Sequence, residues 1–280
     1  MIGALWNSVL YHPILNLLLL LYSFFGSNLG WAIIVLTVIF RVVLFPFMKS
    51  QYESSAKLRA IQPQMEKIKK KYMRNPKKIQ GEQMKLYKNA GYNPLGCFFS
   101  MLLPFPFLVA VYQAIRAFSG DGVEITGIYG WVEHLTGLNA DVVVNQNFLG
   151  FDLSQSYMPL AQEHGYFALS VLPYAILAIL VGISQYYSVK LNQGMMGMPD
   201  DSAKKKEDAK KDNKKKDDAP DMSSMMTDMN KSMAFTFPLM TTIISIRLPA
   251  AVSLYWMLQS WVPVIMYQAY NKFIKKEKNA

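Results

Sequence analysis

Side chains that carry enzyme chemistry are scarce in this sequence. It has one cysteine, Cys97, so an intrachain disulfide is excluded, and its three histidines lie outside the long apolar runs described below. No phosphate-binding motif of the form GxxxxGKS or GxxxxGKT occurs, nor a His or Cys cluster with the spacing of metal ligands. We therefore expect no catalytic residue, no cofactor and no metal ion.

Charge is absent from the start of the chain. Residues 1–40 carry no charged side chain, although the whole chain has 29 basic and 19 acidic residues. The composition is 52% hydrophobic and 17% charged, which excludes a disordered chain and is unusual for a soluble domain. Internal repeats of the apolar segments, common in transporters, are also missing. The composition therefore indicates a membrane protein.

Several apolar runs approach the ~20 residues that a helix needs to span a bilayer. The predicted transmembrane helices occupy residues 28–48, 93–118, 166–188 and, for the fourth and fifth together, 232–271. None of them contains Asp, Glu or His, so a membrane-embedded enzyme would have no acid or base there. This gives five spans.

The first apolar run, residues 14–25, is shorter. As a helix it would cover only about 18 Å, and GSNLG follows it as a break. A cleaved signal peptide is not indicated, because MIGALWNSVLYHP has no basic region and no small-residue cleavage site follows. We therefore expect residues 1–27 to form an interfacial helix.

Basic residues orient the spans, because short loops rich in Lys and Arg stay on the cytoplasmic side. Segment 49–92 has twelve basic residues, whereas the loop 119–165 has none and carries six acids. Segment 189–231 has ten Lys with nine acids, a composition typical of a disordered insert, and the tail 272–280 has four Lys. We predict a multi-pass protein of a bacterial-type plasma membrane, with its amino terminus outside and its carboxyl terminus in the cytoplasm. Arg247, in an external turn, is the one exception.

Segment 49–92 has the pattern of a helical hairpin. Apolar residues recur at steps of three and four on two stripes interrupted by Asn75-Pro76: Leu58, Ile61, Met65, Ile68 and Tyr72, then Ile79, Gln83, Leu86 and Ala90. The alternative is a solvated basic loop, which charge alone does not exclude. A basic helix also attracts anionic lipid or ribosomal RNA. The segment has no base-stacking platform, so we expect no recognition of a specific nucleic-acid sequence.

Five blocks of sequence resemble, in order, the YidC-type membrane protein insertases of the Oxa superfamily in their five-span form. They are WAIIVLTVIFRVVLFPF (31–47), LRAIQPQMEKIKKKY (58–72), EQMKLYKNAGYNPLGC with PFPFLVAVYQAI (82–115), FLGFDLS (148–154) and LPAAVSLYWMLQS (248–260). The blocks cover most of the chain.

The resemblance implies an all-α integral membrane protein that inserts other proteins without catalysis. Such insertases bundle five transmembrane helices around a hydrophilic groove, open to the cytoplasm and to lipid, with an arginine of the first span as its charged centre. Arg41 matches that arginine. The implied partners are nascent membrane proteins, membrane lipids, the ribosome and the Sec translocon.

Polar residues of different spans reach the inner half of the membrane. At a rise of about 1.5 Å per residue, Arg41 lies about 18 Å and Gln259 about 14 Å from the outer surface. Gln185 is expected near the inner end of the third span. The predicted substrate groove is lined by Arg41, Ser100, Gln185, Thr241, Trp256 and Gln259.

Each of these residues has a structural alternative. Arg41 can snorkel to inner-leaflet phosphates, and Trp256 can belong to an interfacial aromatic belt. Gln185 and Gln259 can bond across helices. At the level of function, the alternative is an anion channel or transporter that uses the intramembrane arginine.

A methionine stripe precedes the fourth span. Its members, Met222, Met225, Met226, Met229 and Met233, fall on one face of a predicted helix. The stripe either rests on the bilayer surface or extends the fourth span, or it is a soft surface that receives varied apolar helices.

Overall fold

The structure is a computed structural model that describes residues 2–72, 75–92, 104–118, 125–140, 142–195 and 222–278. Side chains are not described at residues 2, 76, 104–105, 195, 222–231, 233–234, 271 and 273–278. Within the described ranges the regular structure is helical except for one two-stranded ladder. The predicted all-α fold is confirmed.

The helices follow one another with short connections over much of the chain. In chain order they are α1 (Ile2–Trp6), α2 (His12–Phe24), α3 (Leu29–Val43), α4 (Phe45–Lys71), α5 (Pro76–Asn89), α6 (Pro104–Phe118), α7 (Gly130–Thr136), α8 (Tyr157–His164), α9 (Leu172–Met195), α10 (Met222–Ser245) and α11 (Ala250–Lys278). A π-helical turn, Asn7–Tyr11, joins α1 to α2, and strands β1 (Asn147–Phe148) and β2 (Phe151–Asp152) pair antiparallel.

The chain forms two compact units. The first, which we call the bundle unit, comprises Met1–Leu44, Leu102–Gln185 and Pro238–Ala280. The second, the hairpin unit, comprises Phe45–Met101 and Tyr186–Phe237. The main hydrophobic core lies in the bundle unit, and the candidate site described below belongs to it.

The described helices include fewer full-length spans than the five predicted. Two are long and apolar enough to cross a membrane, Gly3–Phe24 and Leu172–Gly194, or three if α3 is counted together with α4. Shorter apolar helices occupy Pro106–Phe118 and Phe235–Ser245. The protein is thus an all-α membrane protein, and the count of five spans stays a prediction.

Prolines explain where two helix boundaries differ from the predicted ones. The first span was expected over 28–48, but α3 ends at Val43 because Pro46 cannot donate a helical hydrogen bond and restricts the residue before it. The third span was expected over 166–188, but α9 begins at Leu172, where Pro173 suits the first turn. It then continues to Met195.

The amino-terminal helical segment extends the apolar run 14–25 back to Ile2 and is buried in its middle. Leu15, Leu18 and Leu19 have no exposed surface. Asn16 is also buried, and it accepts a hydrogen bond from the Tyr129 N–H at 2.7 Å while its amide donates to the Gly127 carbonyl at 2.9 Å. The run is therefore apolar because other parts of the protein cover it. Length and composition alone do not distinguish burial in protein from burial in lipid.

The polar contacts of this segment all lie near one end of the bundle unit, which we call the loop end. Trp6 donates to Gln113, only about 7.5 Å before α6 ends at Phe118. The Tyr22 hydroxyl, at the other end of the segment, accepts from the Asn145 N–H. A helix that crossed the bilayer would carry one end far from α6's carboxyl end. These contacts favour a helix that lies along the loop end.

A short stretch, Asn145–Gln155, ties the loop end together, and we call it the tether segment. Its carbonyls at Asn145, Leu153 and Gln155 accept hydrogen bonds from the first N–H groups of α3 and α11. Its Gln146 amide donates to the Phe118 carbonyl at the end of α6. Helix ends leave backbone groups without intrahelical partners, and here the tether segment supplies them. Both α3 and α11 therefore start at the loop end and run in the same direction.

The hairpin unit contains the expected pair of basic helices. Leu58, Ile61 and Met65 of α4 form a small core with Tyr92, which follows α5. Asn75 caps α5 by accepting from the Lys78 N–H at 3.1 Å. Most lysines of the pair remain exposed.

We predict that Asn16→Leu lowers the free energy of unfolding by about 1–3 kcal/mol, because the part-buried Tyr129 N–H and Gly127 carbonyl each lose a partner. Unfolding of the detergent-solubilised protein, followed by circular dichroism, measures the change. Asn7→Leu is the control, since Asn7 is exposed in the same segment. Equal loss of stability in the two variants would contradict the role given to Asn16.

Candidate functional site

Helix α3 has a protein-facing side and an outward-facing side. Its buried residues are Leu29, Gly30, Ala32, Ile33, Leu36, Thr37 and Arg41. The opposite side exposes Trp31, Val38 and Val42. Arg41 therefore belongs to the side that packs into the protein, and the exposed side is as apolar as a lipid-facing surface requires.

Arg41 is only 8% exposed and reaches the last helix. Its Nη2 donates a hydrogen bond of 2.7 Å to the main-chain carbonyl of Gln259, in α11. Helices α3 and α11 pack against each other, so this contact lies inside the helix pair. A charged donor bound to a carbonyl within the protein is one of the arrangements that lower the cost of an intramembrane charge.

The direction of the Arg41 side chain argues against snorkelling. Side chains on a helix point toward its amino end, which for α3 is the loop end. From the starts of α3 and α11, Arg41 lies about 18 Å and Gln259 about 14 Å along parallel helices. The guanidinium thus reaches back to the level of Gln259. A snorkelling side chain would extend the other way.

Two neighbours on α11 complete the surroundings of Arg41. Tyr255 is 3% exposed and interacts electrostatically with Arg41. Trp256, which the sequence predicted as a groove residue, is half-buried and packs against the main core. Tyr255 was not among the predicted groove residues. Its only signal was its place one turn before Gln259 on the same helix.

Thr241 and Gln185 lie on α10 and α9, two helices that approach each other at Gly182 and Thr242. The Thr241 hydroxyl donates to the Pro238 carbonyl of its own helix at 2.9 Å. Gly182 lies so close to Thr242 that a Cβ atom there would overlap the Thr242 hydroxyl. Gln185 is half-buried, one turn after Gly182. Polar and small residues therefore let these two helices approach closely.

Gln185 is followed by a longer stretch of helix than the predicted third span has. It was expected near the inner end of the third span, but α9 continues for ten residues beyond it, to Met195. That distance is about 15 Å along the helix. Gln185 therefore lies in the middle part of α9, because the helix continues through the polar residues that follow position 187.

Two other sequence predictions fall beyond what the structure describes. Ser100 lies outside the described residues. The methionine stripe lies on α10, whose backbone is helical from Met222, but only its backbone is described there. Of the predicted groove residues, the structure thus brings Gln259 to Arg41 and places Gln185 and Thr241 on a separate helix pair.

Comparison with known proteins supplies the family. Residues 20–278 match the family described as 60Kd inner membrane protein. The chain is 28% identical to membrane protein insertase YidC 2 of Bacillus anthracis, over 90% of this chain and 76% of the relative. It is 27% identical to membrane protein insertase MisCA of Bacillus subtilis, over 90% and 73%.

A plant relative is similar over a smaller part of its own length. ALBINO3-like protein 1 of Arabidopsis thaliana, a chloroplast protein, is 29% identical over 81% of this chain and 40% of the relative. The family match itself covers nearly the whole sequence. The chain therefore belongs to the 60Kd inner membrane protein family.

Proposed function

We propose that this protein is a membrane protein insertase that receives nascent membrane proteins in a hydrophilic groove and releases them sideways into lipid. The observation that carries the proposal is Arg41, a cation held on the protein-facing side of a membrane helix by the Gln259 carbonyl. The insertase names of the relatives support it.

The physical task of an insertase is to move a polar tail across hydrocarbon. A charged side chain at the bilayer centre costs roughly 2.5–3.5 kcal/mol on insertion scales. A groove that reaches part of the way shortens the apolar path, and Arg41 offers an acidic tail a transient counter-charge. The substrate's apolar helix then gains free energy as it enters lipid. No bond is made or broken, so we propose that the protein acts without catalysis and without a cofactor.

The remaining groove residues are part of the same proposal. Trp256 and Gln259 line it from α11, Thr241 and Gln185 line it from α10 and α9, and Ser100 is included from the sequence alone. The hydrogen bonds of the tether segment support closure at the loop end, because they occupy the backbone groups at the starts of α3 and α11. The groove then opens toward the other end of these helices.

Orientation and partners follow from charge. We propose that the loop end faces outward, since segment 119–165 has no basic residue, and that the hairpin faces the cytoplasm. Its exposed lysines suit the ribosome and anionic lipid. The Sec translocon is a further proposed partner. For the anion-channel alternative neither the relatives' names nor the described residues offer support.

We predict that Arg41→Ala and Arg41→Glu slow insertion of substrates with acidic translocated tails about tenfold or more. Two unit charges about 4 Å apart attract by about 4 kcal/mol at an effective dielectric constant of 20. A third of that energy changes a rate about tenfold. The measurement is insertion into vesicles that contain this protein alone.

The matched control is Arg247→Ala, which removes an exposed charge from the turn between α10 and α11. Its insertion rate is expected to equal that of the wild type. Full activity of Arg41→Ala on acidic and neutral tails alike would remove the counter-charge role. Chloride flux through vesicles of the purified protein would favour the channel alternative instead.

A second prediction concerns the basic hairpin. Replacing Lys67, Lys69, Lys70 and Lys71 together with Gln should weaken co-sedimentation with ribosomes at low salt, with the difference fading as salt rises, because the attraction is screened. Substituting four uncharged exposed residues of the same unit, Ala56, Gln64, Gln80 and Asn89, with Ser provides the control. Ribosome binding that is equal in both variants would exclude the hairpin as the ribosome contact.

We also predict that amides of α4 and α5 exchange faster than those of α3 and α11, because the hairpin's described core is small. Hydrogen exchange read by mass spectrometry tests this in lipid nanodiscs. Protection of the hairpin equal to that of α3 would show that it is as stable as the bundle unit and would contradict a mobile hairpin.

A further inference from the structure

A proline lies one turn after the carbonyl that binds Arg41. Helix α11 contains Pro263 in its interior, four residues after Gln259. In an α-helix the carbonyl of residue 259 would accept from the N–H of residue 263. Proline has no N–H, and its ring crowds the carbonyl four residues earlier. The chemistry of Pro263 thus removes the usual donor from the same carbonyl that Arg41 contacts at 2.7 Å.

A carbonyl without its helical donor can stabilise a guanidinium in an apolar environment. A backbone carbonyl that lacks its helical donor is costly in an apolar environment, and so is a guanidinium. The contact between Arg41 and Gln259 lowers both costs at once.

The Gln259 carbonyl differs from an acidic partner in its effect on the charge of Arg41. A carboxylate would cancel the charge of Arg41, whereas a carbonyl is neutral and binds the guanidinium without adding a negative charge. The sequence of α11 has no acid before Glu277, so a carboxylate of this helix is not available near Gln259. A positive charge that α11 fixes through a neutral group suits the attraction of an acidic substrate tail.

We propose that Pro263 is a positioning residue for Arg41: by withholding a helical N–H, it supplies the carbonyl that fixes the guanidinium inside the bundle unit. This inference rests on the proposed function for its consequence in insertion, but its structural part stands on the contact alone. If Pro263 merely bends α11, its replacement would change the helix and not the guanidinium.

The test follows the guanidinium protons directly. Isotope-labelled arginine gives five side-chain signals, one for each arginine of the chain, and the signal lost in Arg41→Lys identifies Arg41. The protein is studied in lipid nanodiscs. In the wild type the Arg41 protons exchange slowly with water. In Pro263→Ala the new N–H competes for the Gln259 carbonyl, so exchange becomes faster and insertion of an acidic-tail substrate slows.

Two further variants keep the result unambiguous. Pro238→Ala restores a helical N–H inside α10, away from Gln259, and is expected to leave Arg41 exchange unchanged. Gln259→Leu keeps the main-chain carbonyl and is expected to do the same. Unchanged exchange in Pro263→Ala would overturn the proposal, as would equally fast exchange in Pro238→Ala or Gln259→Leu.

Failure of this inference is distinguishable from failure of the proposed function. If Arg41→Ala inserts acidic tails at the wild-type rate while Pro263→Ala still accelerates exchange, the contact is correct and the counter-charge role is wrong. If Arg41→Ala is impaired while exchange in Pro263→Ala is unchanged, Arg41 acts in insertion and Pro263 does not position it.

Discussion

A guanidinium placed among hydrocarbon is the constraint on which this structure depends. Arg41 is tolerated because it lies on the buried side of α3 and binds a carbonyl of α11. The two helices must therefore run side by side and in register, since a shift of one turn, about 5.4 Å, would separate the donor from its acceptor.

The loop end supplies that register. The tether segment binds the first N–H groups of both helices, so their starting levels are set by the same stretch of backbone. The amino-terminal segment adds a buried layer held by Asn16. The hydrogen bonds at the loop end thus set the levels of Arg41 and Gln259, about 18 Å and 14 Å along α3 and α11. They do so because the rise per residue of an α-helix is nearly constant.

The sequence predicted the parts of the site that can be recognised from the types of side chain alone. A lone arginine in an apolar run is visible without a structure, and so is the basic hairpin. The hydrogen bond to the main-chain carbonyl of Gln259 was not predicted, because a pattern of side chains does not report which carbonyl lacks a helical donor. Pro263 was the available signal. The end of α9 was not predicted because hydropathy falls before the helix ends. The run 14–25 was ambiguous because burial in protein and burial in lipid select the same residues.

The most direct measurement follows a substrate rather than the insertase. A ribosome-stalled substrate carries a photoreactive side chain beside its acidic tail, and the adducts on this protein are mapped by mass spectrometry. The groove mechanism predicts adducts on α3 and α11 around Arg41 and Gln259 that disappear in Arg41→Ala. Adducts confined to the exposed side of α3, at Val38 and Val42, would mean that the tail travels along the lipid-facing surface and would contradict it.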